Sequence, residues 1–315
     1  MKDKNQTKLK EAMFYEVIED KIKCRLCPHN CRLLNNQIGL CGVRVNKSNV
    51  LYALNYGQIS SIAIDPIEKK PLYDYMRGSK ILSFGSIGCN FKCGFCQNCD
   101  ISKEFVLPTI EKDDINELDK NEPAYRINTQ LSNYKQMTPQ DIINATHHYG
   151  LISIAYTYNE PTVFYEMVYE TAMLAHENGL SNVLVTNGYI NEEPFKLLAP
   201  FIDAMNIDVK TYDQHLYRSV CGGDLDSVLN TIRLAIDYNI HIELTCLIVP
   251  SLFKDKKLIQ QFFRELYDVS GDAYLHLSRY FPRYLYEEKA TDIGYMMQIK
   301  EMALVYFSHV YLGNV

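Results

Sequence analysis

Four cysteines stand within eleven residues in the stretch CNFKCGFCQNC, at Cys89, Cys93, Cys96 and Cys99. The first three have the spacing C-x3-C-x2-C, and three thiolates on one tight loop can converge on one metal centre. Soft sulfur ligands select zinc or iron–sulfur clusters. Tetrahedral zinc wants a fourth ligand, which Cys99 could supply. A [4Fe–4S] cluster held by three cysteines instead leaves one iron open to a small molecule. Spacing alone allows both. A second four-thiolate set, Cys24, Cys27, Cys31 and Cys41, has the spacing C-x2-C-x3-C-x9-C, with Pro28, Gly39 and Gly42 making turns between the ligands. It fits tetrahedral zinc or an auxiliary iron–sulfur cluster. Zinc would fold the segment, whereas a cluster could relay electrons.

Charged and polar residues gather in four further places. Asp208 and Lys210, in NIDVK, lie two apart and share one face of an expected strand. Two charges pointing inward at a strand end cost free energy unless they are paired or used. The stretch YTYNEPT sets Asn159 and Glu160 before Pro161. Asn159 can cap the helix that follows, and Glu160 is an acceptor for an ammonium group. Thr186 and Asn187 open a polar turn, TNG. Thr245 alternates with Glu243 on a later strand and is a candidate to line a cavity. His276 and Arg279, in HLSRY, are candidates for substrate or carboxylate contact. A histidine on an otherwise apolar strand is also often a hydrogen-bonded core residue.

The elements that must position these residues alternate along the chain. Apolar runs predict strands at 81–86, 151–157, 181–186, 204–210, 241–250, 273–280 and 309–313. Between them lie predicted helices at 161–176, 191–199, 225–239, 255–268 and 289–308. Such alternation implies a parallel sheet with helices outside, as an open sheet or a partial barrel. In these α/β folds the working residues sit at the C-terminal ends of the strands, where every motif above falls. Upstream, 9–20 reads as a short helix and 50–64 as two short strands. Residues 1–78 form a cysteine-bearing N-terminal extension and 79–315 the core. The polar, Asn-rich interval 101–138 reads as a solvated surface loop or a lid over the site.

Bulk composition narrows the class. With 315 residues and 10 cysteines the chain is no small disulfide-stapled domain. Its start, MKDKNQTKLKEAMFYEVIEDK, does not read as a signal peptide, and no apolar run is long enough to span a bilayer. A reducing, cytoplasmic setting is expected, with no membrane partner. A net charge of -6, from 32 basic and 38 acidic residues, argues against a nucleic-acid partner.

The C-x3-C-x2-C loop directly after the first core strand, with aromatic Phe95 before its last cysteine, resembles the signature of radical S-adenosylmethionine enzymes. The resemblance implies a partial (β/α)6 TIM-like barrel. It implies that Cys89, Cys93 and Cys96 hold a [4Fe–4S] cluster whose open iron binds S-adenosylmethionine, with Phe95 near the adenine. Cleavage would give a 5'-deoxyadenosyl radical that abstracts hydrogen from a substrate. Asn159 and Glu160 match the site that binds the methionine amino group, where relatives have Gly-Gly-Glu-Pro. Thr186 and Asn187 match a turn on the ribose side, and Asp208 and Lys210 match an Asp-x-Lys that contacts cofactor and substrate. Cys99, where family members usually carry an aromatic residue, would be a free thiol near the site or a substrate-facing one.

Over nearly the whole chain, CRLCPHNC, IGLCGVR, DPIEKKPLY, SFGSIGCNFKCGFCQN, YTYNEPT, VTNGY and HVYLGNV resemble proteins related to pyruvate formate-lyase activating enzyme, in particular those of the AmmeMemoRadiSam system. Relatives continue into a Cys-Pro-x-Cys tail beyond the point where this sequence stops, Val315. The resemblance implies an electron donor such as flavodoxin or ferredoxin, and association with Memo-like and AMMECR1-like proteins. Glycyl-radical activation of a partner enzyme is one alternative activity. A non-catalytic metal-binding interaction protein is another.

Overall fold

The computed structural model describes residues 9–105 and 134–315. Most of the interval 101–138, read above as a loop or lid, lies outside the described residues.

Eight strands form the main sheet, and their order in space follows their order in the chain. They are β1 (Ser61–Pro66), β2 (Lys80–Gly85), β3 (Ser153–Tyr156), β4 (Ser181–Thr186), β5 (Ala204–Asp208), β6 (His241–Ile248), β7 (Tyr274–Arg279) and β8 (Val310–Gly313). From β2 onward every neighbouring pair is parallel. Only β1 runs antiparallel, Ser61 opposite Gly85 and Pro66 opposite Lys80. The result is an α/β domain with a mixed sheet. The pairings of the described residues run from one edge strand to the other and close no barrel.

Among the described residues the longer helices between the parallel strands are α1 (Pro139–His148), α2 (Tyr165–Glu177), α3 (Glu192–Leu198), α4 (Leu225–Asp237), α5 (Lys256–Ser270) and α6 (Ile293–Ala303). The starts of α1, α4, α5 and α6 are set by side-chain caps, which satisfy backbone donors that have no partner within the helix. Asp224, Asp255 and Asp292 each accept from a first-turn amide of α4, α5 and α6. Thr138 and Asp141 make a reciprocal capping box at α1. The last helix is shorter than the expected 289–308 because Asp292 caps it only there. Strands such as β3 are buried along their whole length, as parallel strands covered on both faces must be.

One expectation fails at the N-terminus. The stretch read as a helix over 9–20 is extended: Lys10–Glu11 pairs with Val50–Ala53, and Tyr15–Ile18 with Lys21–Cys24. The local sequence has helix-forming residues, but neighbouring strands take its backbone hydrogen bonds, and Phe14 between the two strands has φ 58°. Tertiary pairing overrides a weak local preference.

The cysteine-bearing extension is bound into the core by three devices. Its last strand is β1 of the main sheet. Arg44 donates to Glu166 of α2 at 2.6 and 2.8 Å and to Met13 O at 3.0 Å, all buried or partly so. The segment 67–79 folds under the strands' N-terminal ends. There Asn206 Nδ2 donates to Pro71 O at 2.8 Å, and the amides of Tyr73 and Asp74 donate to Glu243 at 2.9 Å each. No helix among the described residues is long and apolar enough to cross a membrane.

Candidate active site

A cavity of about 360 Å³ opens where the parallel strands end, within the size range of small-molecule and cofactor sites. The loop after β2 contributes Cys89, Cys93, Phe95 and Cys96, and the end of β3 contributes Asn159 and Glu160. Thr186 and Asn187 follow β4, Asp208 and Lys210 end β5, and Thr245 stands on β6. Topology does this: parallel strands put all their C-terminal ends on one side.

The cysteine loop leaves β2 through Gly88, whose φ is +86° and whose missing Cβ would come within 2.7 Å of Cys41 O and Val43. A side chain there would be strained and would separate the loop from the N-terminal segment. His29, in the CPHNC turn, bonds through Nε2 to Asn90 O at 2.7 Å, so the two cysteine sets are one hydrogen bond apart along this path. Burial pushes the Cys89 thiol up to about 12, opposed by the Lys103 cation and reinforced by Glu160, Cys93 and Cys96. Burial and Cys93 raise Cys96 as well. One buried and two partly buried thiols with raised pKa values are a soft donor set that a metal would discharge, and in this respect they fit an iron–sulfur cluster. Among the described residues no three His, Cys, Asp or Glu side chains are gathered to hold a single metal ion. Cluster cysteines bind separate irons and need not close on one point.

The neighbouring carboxylate is not as open as its motif suggested. Glu160 Oε1 accepts from Thr162 N at 2.9 Å, Thr162 Oγ1 at 2.7 Å and Thr186 Oγ1 at 2.7 Å. Its Oε2 accepts from Asn187 N at 2.8 Å. The residue ties the end of β3 to the end of β4. Burial raises its pKa and these four bonds oppose the rise. An ionised carboxylate has about four acceptor positions, so the free capacity lies on Oε2. Asn159 does not cap the helix. Its Oδ1 accepts from Ser86 N at 2.9 Å and its Nδ2 donates to Gly88 O at 3.0 Å. It holds the entry of the cysteine loop. Tyr158 takes φ 70°, a conformation costly for a residue with a Cβ. Its hydroxyl bond to Asp65 at 3.1 Å and Lys70 at 4.9 Å from its ring centroid hold it there.

Asn187 reaches the loop directly, donating from Nδ2 to Asn90 Oδ1 at 2.8 Å, with Cys89 Sγ at 3.9 Å. Asp208 and Lys210 form an ion pair at 2.8 Å, both partly exposed to the cavity. Burial opposes the charge on Lys210, yet Asp208 and then the Cys93 sulfur raise its pKa. Thr245 donates to Asn206 Oδ1 at 2.9 Å. Phe95 is buried, its ring 5.6 Å from that of Tyr286.

Three expected contacts lie elsewhere. His276 bonds to Glu243 at 2.6 Å and packs edge-on against Tyr73, below the cavity. Glu243 also takes the amides of Tyr73 and Asp74 and bonds to His241. Burial works against its charge, but these bonds hold its pKa at about 2. Arg279 Nε donates to Thr291 O at 2.8 Å and its guanidinium lies over Phe281. Cys99 is buried at the start of the short helix Cys99–Ser102, with Sγ 3.5 Å from Asp100. Strand alternation put His276 on the right face but could not give its depth. Sequence reasoning missed Lys69, Lys70 and Ser278, which also line the cavity. The lysine pair in DPIEKKPLY was a visible signal.

Among the N-terminal cysteines, Cys27 is raised by burial and then by Cys24, Cys31 and Cys41 in turn. Burial likewise pushes Cys41 up to about 12. Arg44 lies within electrostatic reach of Cys24 and Cys41, and its buried Nε has no hydrogen-bond partner. An orphaned donor beside thiols fits a site whose sulfurs carry negative charge when bound to metal.

Comparison with known proteins places this geometry. The family described as "Radical SAM superfamily" matches residues 85–260. The chain is 39% identical over 313 residues to an uncharacterized protein of Methanocaldococcus jannaschii, covering 98% of this chain and 86% of that protein. It is 26% identical over 229 residues to a second protein of that organism, whose provisional name is glycyl-radical enzyme activating enzyme, covering 71% and 76%. A radical SAM methyltransferase from Sphaerobacter thermophilus shares the fold with a TM-score of 0.50 at 12% identity, over 75% of this chain and 70% of that one.

Proposed function

The chain belongs to the radical SAM superfamily, and from that premise we propose that it abstracts hydrogen from a substrate after reductive cleavage of S-adenosylmethionine at a [4Fe–4S] cluster held by Cys89, Cys93 and Cys96. What the cluster supplies when bound is one electron, which splits S-adenosylmethionine into methionine and a 5'-deoxyadenosyl radical. The observation that carries this reading is that three clustered thiols and a charged pair open into one cavity at the strand ends.

The chain's own residues divide the remaining work. Asn159 and Asn187 hold the loop that bears the thiols. Lys103 donates to Phe91 O within that loop, and its cation with that of Lys210 offsets negative charge on the sulfurs. Glu160 keeps one oxygen available to an ammonium while fixing the turn of Thr186 and Asn187. Phe95 offers a flat apolar surface to an adenine. Asp208 and Lys210 present opposite charges to the methionine carboxylate and ammonium or to a polar substrate. The segment 67–79 closes the far side against water.

Asp208→Ala and Lys210→Ala should assemble the cluster with an unchanged spectrum and release 5'-deoxyadenosine about 100-fold more slowly, because slight misplacement of a reacting group is costly in rate. Release is measured per iron-loaded, folded molecule. Wild-type rates in both variants would leave the pair purely structural. A second reading, abstraction from a glycine of a partner enzyme, is favoured by the two provisionally named activating-enzyme relatives. A glycyl EPR doublet on a partner is its signature. Within the superfamily we place the chain with the AmmeMemoRadiSam proteins, taking electrons from flavodoxin or ferredoxin and working with Memo-like or AMMECR1-like proteins.

The N-terminal set, Cys24, Cys27, Cys31 and Cys41, we read as a separate metal site, supported by the orphaned Arg44 Nε. Cys24→Ala with Cys27→Ala should lose metal there and keep the cavity cluster. Iron falling by about four per chain means an auxiliary cluster; loss of zinc means a tetrahedral ion. Unchanged iron and zinc would dispose of the site.

A further inference from the structure

Two lysines line the cavity and have no part in the division of work above. Lys69 and Lys70 follow β1, the antiparallel strand, through a single helical turn at Ile67–Lys69. They approach from the N-terminal side of the parallel strands, yet both reach the cavity that the cysteine loop lines. Lys70 is only 4% exposed. Its Nζ donates to Asp65 Oδ2 at 2.8 Å and lies 4.9 Å from the centre of the Tyr158 ring. Asp65 Oδ2 also accepts from the Tyr158 hydroxyl at 3.1 Å, and its Oδ1 lies 3.5 Å from Lys69 Nζ. Two ammonium groups therefore share one carboxylate.

The other charges on the cavity wall are matched. Asp208 pairs with Lys210. Glu160 is bound by four donors and keeps its free capacity for an ammonium. Among the described residues the lysine pair is left with one unit of surplus positive charge. An ammonium can donate three hydrogen bonds, and among the described residues Lys70 Nζ makes the one to Asp65. A buried cation with unused donors is costly unless something uses them.

We propose that Lys69 and Lys70 bind an anionic group of the substrate, a carboxylate or a phosphate. This rests on the radical reading given above and names the substrate's class: an organic acid or a phosphate ester. A cationic substrate would meet two ammonium groups over one carboxylate and be turned away, so the pair selects as well as binds. Asp65 is a positioning residue. It holds Lys70 against the Tyr158 ring and limits the positive charge of the empty site.

The test uses anaerobically reconstituted protein with S-adenosylmethionine bound. The probes are inorganic phosphate and isotopically labelled acetate, titrated separately and followed by line broadening in phosphorus and carbon NMR. At least one should bind, and the tighter of the two tells a phosphate ester from a carboxylic acid. Lys70→Met should weaken the tighter probe about tenfold or more, as loss of a hydrogen bond from a charged group implies. Lys69→Ala, at an exposed position, should weaken it about two- to fivefold, and Asp65→Asn should tighten it by a similar factor, because both ammonium groups are then free of their carboxylate. That gain separates a binding role from a structural one, in which losing Asp65 only lowers stability. A wild-type preparation with no cluster signal sinks the radical reading and this proposal with it. With the cluster and S-adenosylmethionine in place, failure of both probes to bind overturns this proposal alone. So does binding that Lys69→Ala and Asp65→Asn leave unchanged. So does a probe that S-adenosylmethionine displaces, which would give the lysines to the cofactor.

Discussion

Wild-type protein reconstituted with iron and sulfide under anaerobic conditions should show a reducible cluster signal that shifts when S-adenosylmethionine is added, and the Cys89→Ala/Cys93→Ala/Cys96→Ala variant should show neither the signal nor any 5'-deoxyadenosine. Complete loss is expected because these three supply every thiol that lines the cavity. Neither Cys99 nor Cys221 lines the cavity, so neither can take over. The change removes buried sulfurs without leaving a buried charge, and a folded protein should remain for comparison. The same experiment separates cluster from fold: circular dichroism keeps its shape while the iron is lost. Retention of the S-adenosylmethionine-sensitive signal in the triple variant would refute the assignment of the loop.

The second large effect is on stability. Glu166→Ala should lower the free energy of unfolding by about 3–5 kcal/mol, the usual result of removing one partner from a buried ion pair. Its Oε1 accepts from both Arg44 Nη2 and Met13 N at 2.6 and 2.7 Å, so truncation leaves a buried guanidinium and a buried amide unsatisfied. The double replacement Arg44→Met/Glu166→Leu should recover most of the loss, since a well-packed apolar pair often matches a buried ionic one. Denaturant unfolding of the two variants and the wild type decides it. A Glu166→Ala protein within about 1 kcal/mol of wild type would mean that the pair is not what anchors the N-terminal segment.

Much of this was legible in the sequence, and for physical reasons. Strands buried on both faces leave continuous apolar runs, and SNVLVT predicts the strand Ser181–Thr186 to the residue. Asp224 and Asp255 stand just before helices whose starts they set. C-x3-C-x2-C is visible because its members are close in the chain and chemically distinctive. What escaped depends on distance in sequence or on depth. Residues 10–18 became strands because of partners at 21–24 and 50–53. Asn159 and Glu160 line the cavity, but how many donors each would already satisfy is a property of the assembled turn. His276 stands in register with Thr245, yet its ring bonds to Glu243 rather than lining the cavity.

The floor under the strands also sets an order of events during synthesis. Tyr73 and Asp74 bond to Glu243 across 170 and 169 positions of chain. At typical rates of elongation, the floor segment leaves the ribosome roughly 10–30 s before the carboxylate that secures it. Contacts so distant also close slowly, because their loop entropy must be met before they stabilise anything. The N-terminal cysteines therefore emerge well before the cavity has a bottom, and the metal site proposed for them would be the first that can be filled.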